Sequence, residues 1–255
     1  MYLYLYDDFV KEKKYESAVQ SIETRLTDFG IAGKIIRLAQ LSNAQAIIEE
    51  EFKRGYSTVV IVGNDTSFGN ILSRAATSPV VFGFIPLGSG NSIAQVLGIP
   101  VGVDACDVLS RRRKVRLDAG WVNNRYFVSQ LHVLPHPISV KYDEKFSVSA
   151  KGDGKMELVV CNLQPYFWQD KNKKENVIRP QDGKLEAFLR PAMKKGLFGG
   201  WTYEDPSIFP FEEMEVSSKT PFVVSADGKE SKEVKIKITL AKKRIEMIVG
   251  KERKF

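Results

Sequence analysis

The sequence predicts an α/β domain built on a parallel sheet, followed by a second, β-rich antiparallel domain. Three observations carry this reading. Over residues 1–110, short apolar runs alternate with amphipathic stretches of helical period, the pattern of strands joined by helices. From residue 111 the helical period disappears, and short alternating strands with Gly, Asn and Asp turns take over. Charge changes at the same place. Residues 1–110 hold 9 Lys+Arg and 12 Asp+Glu, and the remainder holds 38 − 9 = 29 and 31 − 12 = 19, so a net −3 gives way to a net +10. The domains therefore fall at 1–112 and 113–255, and the C-terminal KKRIEMIVGKERKF either closes the second or crosses back to the first.

In chain order, Tyr2 to Tyr6 reads as a first strand. Tyr15, Val19, Ile22, Leu26 and Phe29 recur at helical spacing, which predicts a helix over 12–29 capped by Gly30. Ile35 and Ile36 mark a second strand. Ser42 is placed to cap a helix that buries Ala44, Ile47, Ile48 and Phe52 and stops near Gly55. Ser57 to Val62 is a third strand, followed by Gly63-Asn64-Asp65-Thr66-Ser67 and a helix around Phe68 to Ala76. Val80 to Ile85 is a fourth strand, ended by Pro86. Gly88-Ser89-Gly90-Asn91 then leads into a short helix from Ser92 to Leu97. Glycine lets backbone N–H groups close on a ligand, and a glycine loop entering a helix suits a phosphate as well as it suits an ordinary turn. Consecutive parallel strands deliver their loops to one sheet edge, so Asp65 stands beside Gly88 to Asn91, an acid next to an anion loop. The alternative for Asp65 is the cap of a helix.

In the second half, Val115 to Trp121 and Tyr126 to Val128 read as a hairpin turning at Asn123-Asn124. Further strands are expected at Leu158–Leu163, Leu185–Leu189, Pro221–Ser225, Val234–Leu240 and Ile245–Val249. Residues 164–182 and 194–209 read as loops, the second carrying Leu197, Phe198 and Trp201 among glycines and lysines.

Composition narrows the function. Hydrophobic residues are 43% and charged residues 27%, which excludes wholesale disorder. No apolar run approaches the roughly 20 residues that span a bilayer, and YLYLY is too short for a signal peptide. Cys106 and Cys161 form no CxxC, so free thiols in a reducing, cytoplasmic compartment are expected. His132 and His136 have a spacing that suits a metal only on a helix, and the adjacent prolines argue against one. The basic second half suits an anionic membrane surface or a phosphorylated ligand as well as a merely soluble surface. No nucleic-acid-binding motif accompanies the charge.

Pro86-Leu87-Gly88-Ser89-Gly90-Asn91-Ser92-Ile93-Ala94 with Leu97-Gly98-Ile99-Pro100 is similar to a PLGTGN segment followed by LGIP. Arg113 to Gly120 with Val122 to Phe127, then Asp182-Gly183-Lys184-Leu185-Glu186 and Asp227-Gly228, follow in the matching order. On these residues the chain resembles the diacylglycerol kinase catalytic family, within the larger set that includes sphingosine kinases and, more remotely, NAD kinases. The resemblance implies an α/β nucleotide domain, a β-rich lipid domain and ATP in a cleft between them. It implies that Gly63, Asn64, Asp65 and Ser67, with Gly88, Ser89, Gly90 and Asn91, hold the nucleotide. It implies Mg²⁺ at Asp65, a second Mg²⁺ site at Asp182, and Asp227 as general base toward a lipid hydroxyl. The partner implied is a lipid, most readily diacylglycerol, at the inner membrane surface, and a homodimer is left open. Several positions depart from the family pattern. GGDGT has become Gly63 to Ser67, and an N-terminal glycine loop is replaced by Tyr6-Asp7-Asp8-Phe9. Asn70, Gln181 and Lys229 stand where family acids do, with Glu230 adjacent to the last. These departures support the alternative of a degenerate kinase fold that binds nucleotide or lipid as a sensor or assembly module.

Overall fold

The computed structural model describes residues 1–38, 43–143, 146–149, 154–163, 179–194 and 200–255. The chain divides into two units: Met1–Leu117 with Lys243–Phe255, and Asp118–Lys242.

The first unit begins with β1 (Tyr2–Asp7), α1 (Glu16–Asp28), β2 (Lys34–Leu38), α2 (Ala44–Lys53), β3 (Thr58–Gly63), α3 (Asp65–Ala75) and β4 (Val81–Pro86). It continues through α4 (Ser92–Val96), α5 (Ala105–Arg111) and β5 (Lys114–Leu117). β1 and β3 are near-continuous apolar runs because both of their faces are covered; Leu3 to Leu5 and Val59 to Val62 are fully buried. β1, β3 and β4 run parallel, with β2 on the outer side of β1. The chain thus leaves β1 toward β2 and returns to β3 on the other side of β1. That reversal of strand order is where open α/β sheets bind their ligands, at the carboxyl ends of the strands.

Several boundaries differ from the sequence expectation. α1 starts at Glu16, because Asp7 caps a tight turn over Asp8–Lys11 and a second turn follows at Lys13–Tyr15. α2 is capped by Asn43, whose side chain accepts from the Ala46 N–H at 3.3 Å, and Ser42 lies outside the described residues. Phe52 is 38% exposed, and the buried place goes to Glu51, held by Lys34 at 2.7 Å and Arg54 at 3.0 Å. α1 does end as expected: Gly30 takes φ +65°, with Ile31 N–H donating to Leu26 O at 3.0 Å.

The second unit runs through β6 (Gly120–Val122), β7 (Arg125–Phe127), β8 (Gln130–His136), β9 (Ser139–Tyr142), β10 (Phe146–Ser149) and β11 (Lys155–Cys161). β12 (Leu185–Lys194), β13 (Trp201–Tyr203), β14 (Ser207–Phe211), β15 (Glu213–Ala226) and β16 (Lys229–Leu240) complete it. These strands form one antiparallel sheet of eleven among the described residues. The sheet curls, so Tyr142 of β9 stacks on Phe209 of β14 at 4.3 Å, and one core takes residues from both ends of the sheet. The stretch 194–209, expected as a loop, carries β13 and β14. Both find their partner in β12, which pairs with each along a different part of its length. Leu197 and Phe198, like residues 164–178, lie outside the described residues.

The last strand, β17 (Ile245–Ile248), returns to the first unit between β4 and β5, parallel to one and antiparallel to the other. β5 therefore belongs to the first sheet and is not the first arm of the expected hairpin. The division falls at 117/118 in place of 112/113, and the C-terminal segment belongs to the first unit. Gly250 N–H donates to Leu97 O and Lys254 N–H to Val96 O, each at 2.9 Å. Gly250 lies so close to the Gly98 carbonyl that a Cβ has no room.

Candidate functional site

Three loops leave β1, β3 and β4 at the carboxyl edge of the first sheet. The β3 loop is not a glycine turn. Asn64 sits at φ −113° and caps α3: its Oδ1 accepts from Ser67 N–H at 3.1 Å, and Ser67 Oγ accepts from Asn64 N–H at 3.2 Å. This reciprocal box is why the second and third glycines of the family pattern are not needed here. It also occupies the Asn64 and Ser67 side chains with each other, and Ser67 is buried. Gly63 remains glycine because a Cβ there runs into Ser67.

The β4 loop keeps the expected form. Gly88 and Gly90 take φ +82° and +80°. Among the described residues, the N–H groups of Ser89, Gly90 and Asn91 have no protein acceptor. Free N–H groups between positive-φ glycines are the makings of an anion nest. Asn91 Nδ2 donates to Gly88 O at 2.8 Å, while Asn91 Oδ1 is buried with no partner.

Asp65 joins the two loops. Its N–H donates to Gly90 O at 2.9 Å. Its Oδ2 accepts from both Ser92 N–H and Ser92 Oγ at 2.7 Å, and Ile93 N–H lies 3.2 Å from each carboxylate oxygen. The first N–H groups of α4, expected to be open to a ligand, are therefore taken by the protein's own carboxylate. What remains for an anion is the loop before the helix. Asp65 caps a helix, but the next one in the chain, α4, and not its own α3.

Two aromatic side chains complete this edge. Phe9 and Tyr15 pack edge to face at 5.4 Å. A Cβ on Gly88 would stand 3.0 Å from the Tyr15 hydroxyl and 3.1 Å from Phe9, whereas one on Gly90 would meet nothing within 4 Å. The segment that replaces the family's N-terminal loop thus lies against the phosphate-like loop. Ser92, Phe9 and Tyr15 escaped the sequence reading because their neighbours in the site lie far away in sequence.

Asp182 and Asp227 belong to the second unit. Asp227 and Gly228 both take positive φ in the turn between β15 and β16. The Asp227 carboxylate accepts three consecutive backbone N–H groups, Val128 at 2.8 Å, Ser129 at 2.9 Å and Gln130 at 3.0 Å. Burial pushes this carboxyl above its ordinary value, against the pull of those donors and Lys229. The carbonyl of Val128 in turn accepts from Asn162 Nδ2, which also donates to Asp118 O at 2.7 Å. Buried Asp118 accepts Gly183 N–H at 2.8 Å. A hydrogen-bonded chain therefore links Asp227 to the turn that carries Asp182. Asp118 and Asn162 were missed as site residues; the signal for Asp118 was an acid set inside an apolar alternation. Asp182 itself accepts Lys184 N–H at 3.0 Å and lines an open cavity of about 590 Å³ with Arg179, Lys184, Glu186, Phe188 and Ile208.

Among the described residues no three His, Cys, Asp or Glu side chains gather in a metal-binding group. Mg²⁺ commonly needs only one or two carboxylates when substrate phosphates supply the rest. Asp65 beside a nest fits that arrangement, and Asp182 alone does not make a closed site. Thiol chemistry has no candidate, since burial pushes Cys106 to about 11 and Cys161 to about 12.

Comparison with known proteins places this edge in context. Residues 2–122 match the family model described as the diacylglycerol kinase catalytic domain. A curated diacylglycerol kinase of Staphylococcus haemolyticus is 30% identical over 84 residues, 32% of this chain and 26% of that protein. One of Staphylococcus saprophyticus is 20% identical over 128 residues, 49% of this chain and 42% of that protein. The chain thus matches less than half the length of these relatives. A crystal structure of a diacylglycerol kinase from Bacillus anthracis superposes with a TM-score of 0.76 over 99% of this chain and 97% of that one, at 14% identity. At that identity the likeness is one of fold.

Proposed function

We propose, from the premise that residues 2–122 belong to the diacylglycerol kinase catalytic-domain family, that this chain is a lipid kinase moving the ATP γ-phosphate to a lipid hydroxyl, most readily that of diacylglycerol. The observation that carries the reading is the pairing of Asp65 with the Gly88–Asn91 loop across two strand ends. Phosphoryl transfer needs phosphates held and charge neutralised, with little covalent work by the protein. The free N–H groups of Ser89, Gly90 and Asn91 supply donors for phosphate oxygens. Asn91 Oδ1, buried and unpartnered, is an acceptor for a hydroxyl or a hydrated cation. Mg²⁺ would be held at Asp65 together with the nucleotide phosphates and would neutralise their charge. Asp227, with its carboxyl raised by burial, is a reasonable proton acceptor for the lipid hydroxyl. No helix among the described residues is long and apolar enough to cross a membrane; on the kinase reading the lipid is met at a bilayer surface.

A second reading is favoured by the same carboxylates. Asp65 and Asp227 each accept several backbone N–H groups, as purely structural aspartates do. On that reading the chain binds nucleotide or lipid without turnover. The deciding experiment is transfer of labelled phosphate from ATP, with Mg²⁺, to a lipid extract containing diacylglycerols, beside Asp65→Asn. Labelled lipid that disappears in the variant supports the kinase. Tight ATP binding by a folded protein without labelled lipid supports the binding module.

A further inference from the structure

One segment far away in the chain grips both ends of the element that carries the β4 loop. Upstream of the loop, Glu246 and Met247 of β17 pair with Val81 and Phe82 of β4. Downstream of it, Gly250 N–H donates to Leu97 O and Lys254 N–H to Val96 O, at the C-terminal end of α4. Between these two holds, Val249 N–H donates to Arg113 O at 2.9 Å and anchors the segment itself. The two backbones cross at a pair of glycines. Gly98 takes φ +67°, and a Cβ on it would stand 2.5 Å from Arg253 N and 2.7 Å from the carbonyl carbon of Glu252. A Cβ on Gly250 would run into the Gly98 carbonyl. Glycine on both sides lets the backbones approach this closely.

α4 has five residues, too short to hold its place by its own hydrogen bonds. Buried Ile93, Ala94, Val96 and Leu97 decide which face turns inward. The backbone partners at its two ends decide where it stands along its axis: Asp65 at the start, and Gly250 and Lys254 at the finish. The helix is only about 7.5 Å long, so a displacement of its last turn is passed to Asn91 and to the loop before it.

We propose that Gly250, seated against Gly98, is a positioning residue for the N–H groups of Ser89, Gly90 and Asn91, acting through α4. It touches no ligand. The proposal rests on the reading that these N–H groups hold nucleotide phosphates. Held by Asp65 alone, the loop and α4 are free to pivot about one carboxylate. The second hold, at the far end of α4, removes that freedom. Donors fixed before the phosphates arrive need no reordering on binding, which is how preorganisation raises affinity. A segment that only completed the sheet would end its pairing with β17, whereas the N–H groups of Gly250 and Lys254 go past the sheet to α4.

The experiment makes two measurements on the whole protein: the amide resonances of Gly88, Ser89, Gly90 and Asn91 without ligand, and a calorimetric titration with MgATP. The variants are Gly250→Ala, which forces the two backbones apart, and Lys254→Pro, which deletes the second N–H donor and leaves the glycine contact alone. Gly33→Ala is the control. Its Cβ runs into the Tyr2 carbonyl, at the amino edge of the same sheet and away from the β4 loop. In Gly250→Ala and Lys254→Pro the loop resonances should move and MgATP should bind about tenfold more weakly, as when only about a tenth of the molecules hold a competent loop. Gly33→Ala should leave both readings near the wild type even where it melts as early. If Gly250→Ala does not fold, Lys254→Pro carries the comparison. Loop resonances that stay in place, or that move equally in Gly33→Ala, overturn the proposal. So does an unchanged MgATP affinity in variants whose loop has moved. Moved resonances in a protein whose wild type binds no MgATP remove the nucleotide reading and leave the positioning of the loop by Gly250 standing.

Discussion

Asp65 and Ser92 hold each other at both ends of one interaction: Oδ2 of the aspartate takes the backbone N–H and the hydroxyl of the serine, each at 2.7 Å. One carboxylate thereby fixes α4 and the loop before it to the start of α3. Asp65→Ala leaves the Ser92 and Ile93 N–H groups without their acceptor and should cost about 1–2 kcal/mol, as loss of a helix cap does. Asp65→Asn keeps an acceptor and should cost less than about 1 kcal/mol. Urea denaturation checks both. If Asp65 also serves a metal with the nucleotide, Asp65→Asn loses lipid phosphorylation while it stays folded. Retained activity in Asp65→Asn would reduce the residue to a cap.

Gly88 and Gly90 share a backbone conformation but not surroundings. Alanine at either takes a positive φ, at about 1–2 kcal/mol. At Gly88 the added Cβ also meets Tyr15 and Phe9, and at Gly90 it meets nothing within 4 Å. Gly88→Ala should therefore be the more destabilising of the two, and adding Tyr15→Phe should recover part of the difference. A double-mutant cycle on thermal stability measures this coupling, and independence of the two substitutions would place Tyr15 away from the loop.

These contacts mark where the sequence stopped being legible. The apolar runs of β1, β3 and β4 and the glycines of the β4 loop announce themselves, because burial and positive φ each demand a residue type locally. Asn64 and Ser67 did not: the pair reads as a damaged glycine loop until the capping box is seen, although Asn followed three residues later by Ser is within the reach of local pattern. β5, β13 and β14 were misread because their partners are far away in sequence, and short strands take their identity from the strand they pair with. Phe9 looked like part of a lost loop, since nothing in its neighbourhood names Gly88.

Glu157 gives the second unit a pH signature. Burial raises its carboxyl, but hydrogen bonds and charge from His132 and Arg190 outweigh this and hold it below the ordinary 4.5. The ionised form is then favoured by folding. Its contribution is complete above pH 4.5 and is lost as pH falls through the lowered value. Glu157→Gln removes the buried carboxylate charge that binds Arg190 and His132 and should destabilise by about 3 kcal/mol at neutral pH. Urea unfolding at pH 7 and below pH 4.5 should show the variant's deficit shrinking at the lower pH. A deficit that does not change with pH would mean that packing, and not charge, holds the strands here.

Asp227 separates a structural from a chemical role most sharply. Its turn needs positive φ at two positions, which Asn-Gly satisfies as well as Asp-Gly. Asp227→Ala removes the acceptor of three N–H groups and should cost about 2 kcal/mol. Asp227→Asn keeps the turn and at least one acceptor, and should cost about 1 kcal/mol. The carboxyl sits above its ordinary 3.8, so the protonated form is favoured by folding. That contribution is present below 3.8 and lost as pH rises through the raised value, a slope that Asp227→Asn should remove. As a general base it must be ionised, so the rate of lipid phosphorylation should climb with pH through that same raised value. Asp227→Asn should abolish the rate at every pH while the protein melts nearly as the wild type does. A pH–rate profile in which the variant keeps the ascending limb would assign the proton to another group and leave Asp227 as the clasp that holds residues 128–130 to the hairpin.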